Sequence, residues 1–540
     1  MNKVSNGQNT GMPEMSQRRR YAILGGVLIG MFIAALEATV VGTAMPTVIA
    51  SLGGLEHYSW VFSAYLVTST VTVPVWGKLS DLYGRRLLYQ IGIGVFLLGS
   101  LLSGISTSMT ELIIFRAIQG LGAGALVPLG MTIIGDIFSV AERAKMQAFF
   151  SGVWGLSSVI GPFIGGFITD QLSWRWVFYV NLPIGIITAL VMGFALKEPK
   201  LTSKPSIDYA GASVLMIAIS LLMLVLVESG STADMFSVLN IGLLVVSIGL
   251  LVLFYFIEKR AVDPMIPFDL FRNRTVAVSV AAGFLAGIAM FGAISFIPLF
   301  SQGALGSTAT EAGSLLTPLM LSWVTMSVIG GRLMLKVSYR NIAITGFLVL
   351  VSGFVALSLF QRTTPKYWLY FDLCLVGAGL GLTMLTLLIA VQEAVERSRL
   401  GIATSLNQFS RSIGGAIGVA IMGSVLTIGL SIQIGHLSTG ENSVLTKEQA
   451  AAFEKNPNVL IDPEARATIP PDTLIQLQTA MASSIRPVFW VGAIISLMAF
   501  FVVLLLPASL SAGTSKDGER TLMAEQTNIN ARNQLDYTEP

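Results

Sequence analysis

Gly77-Lys78-Leu79-Ser80-Asp81-Leu82-Tyr83-Gly84-Arg85-Arg86 is a charged island in an otherwise apolar sequence. Charges so close together between two long apolar stretches predict a short turn joining two membrane helices. Advancing each number by 254 gives Gly331-Arg332-Leu333-Met334-Leu335-Lys336-Val337-Ser338-Tyr339-Arg340. The first glycine, the cation after it, the leucine and the final arginine recur, while Asp81 meets Leu335. The same offset carries Glu142-Arg143 and Lys145 onto Glu396-Arg397 and Arg399, and brings Pro46 within two residues of Pro298. At a slightly longer offset, Gly120-Leu121-Gly122-Ala123-Gly124 is matched by Gly377-Ala378-Gly379-Leu380-Gly381. Weak internal symmetry of this kind marks transporters assembled from repeated halves, so the chain reads as a duplication with a degraded second copy.

Composition supports that reading. Of 540 residues 53% are hydrophobic and 12% charged, with a mean hydropathy of +0.74; soluble domains carry about twice that charge. The prediction is an all-α polytopic membrane protein. Its net charge of +3 sits in short loops and forms no basic face for nucleic acid. One cysteine, Cys374, excludes an internal disulfide and a multi-cysteine metal site, and two histidines, His57 and His436, leave no histidine cluster. The glycine-rich stretches at 120–124 and 377–381 lie inside apolar segments with no P-loop lysine, so no nucleotide site is expected. A pump of this composition needs an ion gradient; no cofactor is expected beyond the proton gradient. Arg18-Arg19-Arg20 precede an apolar run too long for a signal-peptide core, so the first helix is retained.

Taking about 20 apolar residues per crossing, the spans fall near 21–46, 58–79, 87–107, 110–134, 146–169, 176–196, 207–228, 237–257, 276–300, 312–335, 341–360, 368–391, 404–430 and 488–508. Alternate loops hold nineteen of the 33 lysines and arginines, which places both termini in the cytoplasm. The offset then divides the chain into an N-terminal tail (1–20), a six-helix half (21–200), an inserted pair with linkers (201–270) and a second six-helix half (271–510). That half includes an external loop (431–487), in which 446–454 and 472–483 are candidate surface helices. A disordered tail (511–540) follows.

The turn at 77–86 resembles the signature loop between spans 2 and 3 of the major facilitator superfamily. Three further stretches resemble motifs of its fourteen-span drug:proton antiporter branch: Leu36-Glu37-Ala38-Thr39 through Ala44-Met45-Pro46, Arg116-Ala117-Ile118-Gln119-Gly120, and Gly161-Pro162-Phe163-Ile164-Gly165-Gly166. The family pattern commonly has Asp where Glu37 stands, and a glycine where Ser157 stands. The likeness covers about residues 20 to 510. It implies two six-helix halves plus two inserted helices, fourteen transmembrane helices in all. It also implies that spans 1 and 4 line the N-terminal cavity, and that Gly77, Asp81, Gly84, Arg85, Arg86 and Asp136 form an ionic latch for the outward-open state.

Ionisable groups within hydrocarbon are costly and therefore informative. Glu37 lies about 24 Å along span 1 and Arg116 about 9 Å along the oppositely directed span 4, which brings them to similar depth. Glu37 is read as a proton-binding carboxylate and Arg116 as its electrostatic partner. The equivalents by the offset are Phe291 and Tyr370, so the proton machinery belongs to one half. Gly161, Pro162, Gly165 and Gly166 are read as a packing hinge. Phe62, Tyr65, Gln119, Trp154, Phe291, Gln302, Trp323 and Asn407 are candidate cavity lining; Glu393, Arg411 and Asp372 are read as interfacial.

The function expected is proton-coupled export of small hydrophobic or monocationic compounds by alternating access, in the manner of a multidrug efflux antiporter. The chain is not read as an enzyme. A proton-linked carrier for one physiological solute or lipid is the alternative, and a membrane-embedded receptor or enzyme a further one. Its partners are a small-molecule substrate, protons and membrane lipid, with no nucleic acid; a monomer in a bacterial cell membrane is expected.

Overall fold

The computed structural model describes residues 15–52, 58–138, 140–196, 208–228, 237–261, 264–307, 315–362, 364–438 and 468–508, with residues 311, 445, 446, 449, 453 and 466. Among these residues regular structure is helical throughout, with no strand. In chain order the helices are α1 (Gln17–Leu52), α2 (Tyr58–Val71), α3 (Val73–Tyr83), α4 (Arg85–Ile105), α5 (Met109–Ile137), α6 (Val140–Gln171), α7 (Trp176–Tyr179) and α8 (Asn181–Ala195). They continue with α9 (Tyr209–Glu228), α10 (Val238–Arg260), α11 (Arg274–Gly303), α12 (Leu316–Leu333), α13 (Tyr339–Ser358), α14 (Lys366–Glu393), α15 (Leu400–Ser438) and α16 (Pro471–Val503). Ten stretches of these helices are long and apolar enough to cross a bilayer.

Local chemistry explains the ends and breaks. Pro74 lacks an N–H and sits at the start of α3, where the apolar run 58–79 divides after Val71 into α2 and α3. Ser108 caps α5 by accepting from Glu111 N at 3.2 Å, and Glu111 in return accepts from Thr107 N at 2.8 Å. Gly84 separates α3 from α4 at φ 94°, a conformation that penalises any side chain.

Helices α1–α8 pack around cores containing Val27, Met31, Phe96 and Leu126 on one side and Leu36, Val41, Met45 and Phe178 on the other. Helices α11–α16 share a larger core that includes Phe296, Phe347, Phe354 and Phe489. The pair α9/α10 joins neither; Leu215, Ile219, Met223 and Phe254 pack with Val67 and Val71 of α2 and with Ile402 and Phe409 of α15. The two groups meet through α3 on α15 and α6 on α12. The 254-residue offset converts the first contact into the second.

Three expectations shift. The segment 472–483 is no surface helix but the first half of α16, which continues through Pro487 because Leu477, Met481 and Ile485 are buried in the α11–α16 core. Helix α15 runs on to Ser438 and α16 starts at Pro471, which shortens the loop read as 431–487 to 439–470, most of which lies outside the described residues. Helix α1 begins at Gln17, so the polar tail read as 1–20 ends earlier. The tail 511–540, and most of 446–454, lie outside the described residues.

Candidate functional site

Glu37 and Arg116 meet. Arg116 Nη1 donates to Glu37 Oε1 at 2.5 Å and to Gln119 Oε1 at 2.7 Å, while its Nε donates to the carbonyl of Val61 at 3.3 Å. The other carboxylate oxygen accepts from Asn181 Nδ2 at 2.5 Å. Asn181 and Gln119 both donate to Ser100 Oγ, which donates to the Phe178 carbonyl at 2.9 Å. Four helices, α1, α4, α5 and α8, therefore converge on one polar knot, with α2 contributing the Val61 carbonyl. Glu37 is 2% exposed and Arg116 1% exposed. The Tyr65 ring lies 4.2 Å from the guanidinium carbon, adding a cation–π contact. Gly99 makes the knot possible, since a Cβ there would strike the Gln119 backbone and keep α5 from approaching α4.

A buried pair is tolerated when its remaining donors and acceptors are satisfied, as here by Asn181, Gln119 and Val61. Asn181→Ala should remove the donor to Oε2 and lower thermal stability by about 1–3 kcal/mol, the cost of an orphaned buried acceptor. Thermal unfolding of the purified protein checks this; an unchanged midpoint would show that water reaches Oε2.

At the C-terminal end of α3 the signature turn forms a second cluster, on a surface termed the turn face. Asp81 accepts from Gly401 N at 3.0 Å and Ile402 N at 2.8 Å, amides of the first turn of α15, where the helix dipole favours an anion. Arg85 bridges Asp81 at 2.6 Å and Asp136 at 3.1 Å, and donates to the carbonyls of Ser80 and Arg397. Gly77 abuts Gly401 so closely that a Cβ on Gly77 would meet the Gly401 carbonyl at 2.9 Å. Arg143 of α6 reaches Gln392 and Glu393 at the end of α14, each at 3.1 Å. These contacts close the turn face between the two helix groups. Closure takes Asp81 out of water: burial pushes its carboxyl up to about 6, while Arg85 and the two amides pull it down.

Other candidates divide. Arg86 is half-buried beside the cluster and Gly84 shapes its turn. Gln119 and Tyr65 belong to the knot rather than to open lining. Gly161 and Gly165 are buried in α6, which passes residue 162 unbroken; the side chains at 162 and 166 lie outside the described set. Phe62 packs against the Leu36 core, and Phe291 covers Gly415. Gln302 is half-buried, and Trp154 is 43% exposed. Asn407 Nδ2 and Trp323 Nε1 are buried with no partner among the described residues.

Glu393 is on the turn face, and Asp372 is buried near the start of α14. Arg411 overturns its interfacial reading: it stands about 16 Å up α15 from Leu400 and touches Met384 in the interior of α14. Sequence reasoning also missed Asn181, Ser100 and the Gly401–Ile402 amides. Asn181, a lone amide opening an apolar run, was the one visible signal.

Residues 27–419 match the family model described as Major Facilitator Superfamily. The chain is 38% identical over 524 residues to Multidrug transporter protein MdtP of Bacillus subtilis, covering 93% of this chain and 96% of that protein. It is 37% identical over 487 residues to Multidrug resistance protein 3 of the same organism, covering 90% and 95%. Its fold resembles the crystal structure of the human organic anion transporter MFSD10, with a TM-score of 0.57 over 90% of this chain and all of that one, at 15% identity. The chain belongs to the Major Facilitator Superfamily, and it is a multi-pass membrane transporter, not an enzyme.

Proposed function

We propose that the protein is a proton-coupled antiporter that exports small hydrophobic or monocationic compounds from the cytoplasm by alternating access. The observation that carries the reading is a carboxylate sealed against an arginine inside the membrane, in a conformation whose turn face is closed. In this reading the turn face is cytoplasmic, residues 21–200 and 271–510 are the two moving halves, and 201–270 holds an inserted pair that completes fourteen spans. Glu37 is held by Arg116 and Asn181 in this conformation, and separation of α1 from α5 would free its carboxylate to exchange a proton. One face then loads the proton and the other releases it. The names of the bacterial relatives support multidrug cargo, and antibiotic resistance is the expected consequence.

Inside-out membrane vesicles test the direction. Acidifying the lumen should drive a lipophilic fluorescent cargo into vesicles containing the protein, and a protonophore should discharge it. Accumulation that persists without a proton gradient would exclude the reading.

A further inference from the structure

Arg116 and Arg411 are two arginines deep among the helices with opposite surroundings. Arg116 is sealed, and its charge is matched by Glu37 at 2.5 Å. Arg411 has no acidic partner among the described residues: its contacts are the Gln408 side-chain oxygen, one turn back on α15, and Met384 S at 3.6 Å on α14. A guanidinium offers five donors, and these two contacts leave Nε unengaged. Arg411 also keeps accessible surface, and none of its nitrogens is a sealed, unpartnered atom. A cation at this depth that is neither paired nor sealed faces water between the helices. Neither neighbour can neutralise it, since an amide oxygen and a thioether carry no charge.

We infer that Arg411 is a recognition site for an anionic group, a carboxylate or sulfonate, on an otherwise lipophilic cargo. The planar fork of arginine matches a carboxylate with two parallel hydrogen bonds. Met384, which Nη1 touches, is itself buried, so the open edge of the guanidinium is the one that carries Nε, flanked by the apolar walls of α14 and α15. Partly desolvated, such a pair discriminates strongly between an acid and its uncharged isostere. The inference rests on the transport reading for the word cargo, but not on proton coupling. It adds amphipathic acids to the neutral and monocationic compounds proposed above: a cation must wait for Glu37 to leave Arg116, whereas an acid meets Arg411 as it stands.

The test is equilibrium binding to the purified full-length protein, using a naphthalene carboxylate and its primary amide as matched probes. Wild type should bind the carboxylate at least about tenfold more tightly than the amide. Arg411→Gln should abolish that preference while leaving amide binding intact, and Arg411→Lys should restore part of it. Equal affinities in wild type would overturn the inference without any variant being needed, and so would an undiminished preference in Arg411→Gln. Binding is read without a gradient, so failure of proton coupling leaves this outcome separate.

Discussion

Glu37→Gln should abolish accumulation of cargo against its gradient while cargo binding to the purified protein stays close to wild type. The substitution removes the titrating group, and the knot has a way to absorb the new amide. Asn181 Oδ1 is buried with no partner among the described residues. Turning the Asn181 amide over presents that oxygen to the glutamine N–H2, while the glutamine oxygen still accepts from Arg116. Glu37→Ala has no such repair. It strands the Arg116 charge in a site 1% exposed, and breaking a buried pair in this way costs about 3–5 kcal/mol. The alanine variant should therefore fold poorly where the glutamine variant folds and binds. Uphill transport by Glu37→Gln, measured in inside-out vesicles, would contradict the role given to the carboxylate.

Gly401→Val should force the turn face open. A Cβ on Gly401 would lie 2.5 Å from Asp81 Oδ1, 2.7 Å from Ser80 Oγ and 2.8 Å from the Gly77 carbonyl. Two of these are a charged acceptor and a backbone atom of the α3 turn, which cannot yield without separating α3 from α15. The amides of Gly401 and Ile402 would lose Asp81 together, and Arg85 would lose its bridge to the other helix group through Arg397. A cysteine placed at Ser405, buried in the closed face, should become reactive toward a membrane-impermeant maleimide in Gly401→Val and stay protected without it. Turnover should collapse while affinity for cargo survives, since no residue of this cluster lies in the Glu37 knot. Asp81→Asn, which keeps the shape and removes the charge, should slow turnover more mildly. Protection of the Ser405 cysteine in Gly401→Val would show that the face opens elsewhere.

Much of this was legible in the sequence because membrane charges are so few. The chain shows Glu37 and Arg116 as isolated ionisable residues in apolar runs of opposite direction, and helix rise alone brings them to one depth. The turn at 77–86 announces itself by charge density, and its repeat reveals the duplication. Neutral partners announce nothing: Ser100 and Asn181 look like ordinary small polar residues, and their convergence on Glu37 depends on how α4 and α8 rotate about their axes. Backbone donors are more hidden still, because no residue type encodes the Gly401 and Ile402 amides that receive Asp81. The depth of Arg411 was misread because hydropathy alone set the start of its span near residue 404, whereas α15 starts at Leu400 and anchors at the turn face. The last span was also set too late, since hydropathy began it near residue 488, whereas α16 starts at Pro471 and carries Pro487 within it by burial on both sides.

The central claim is obligatory exchange of cargo for protons at Glu37. It is tested most directly by reconstituting the protein into liposomes that hold a pH-sensitive dye, with no gradient imposed, and adding a lipophilic cargo outside. Wild-type protein should move protons out of the lumen as cargo enters, with Glu37→Gln proteoliposomes silent although cargo still binds. Cargo entry by wild type with no movement of protons, or equal proton movement in Glu37→Gln, would contradict the account.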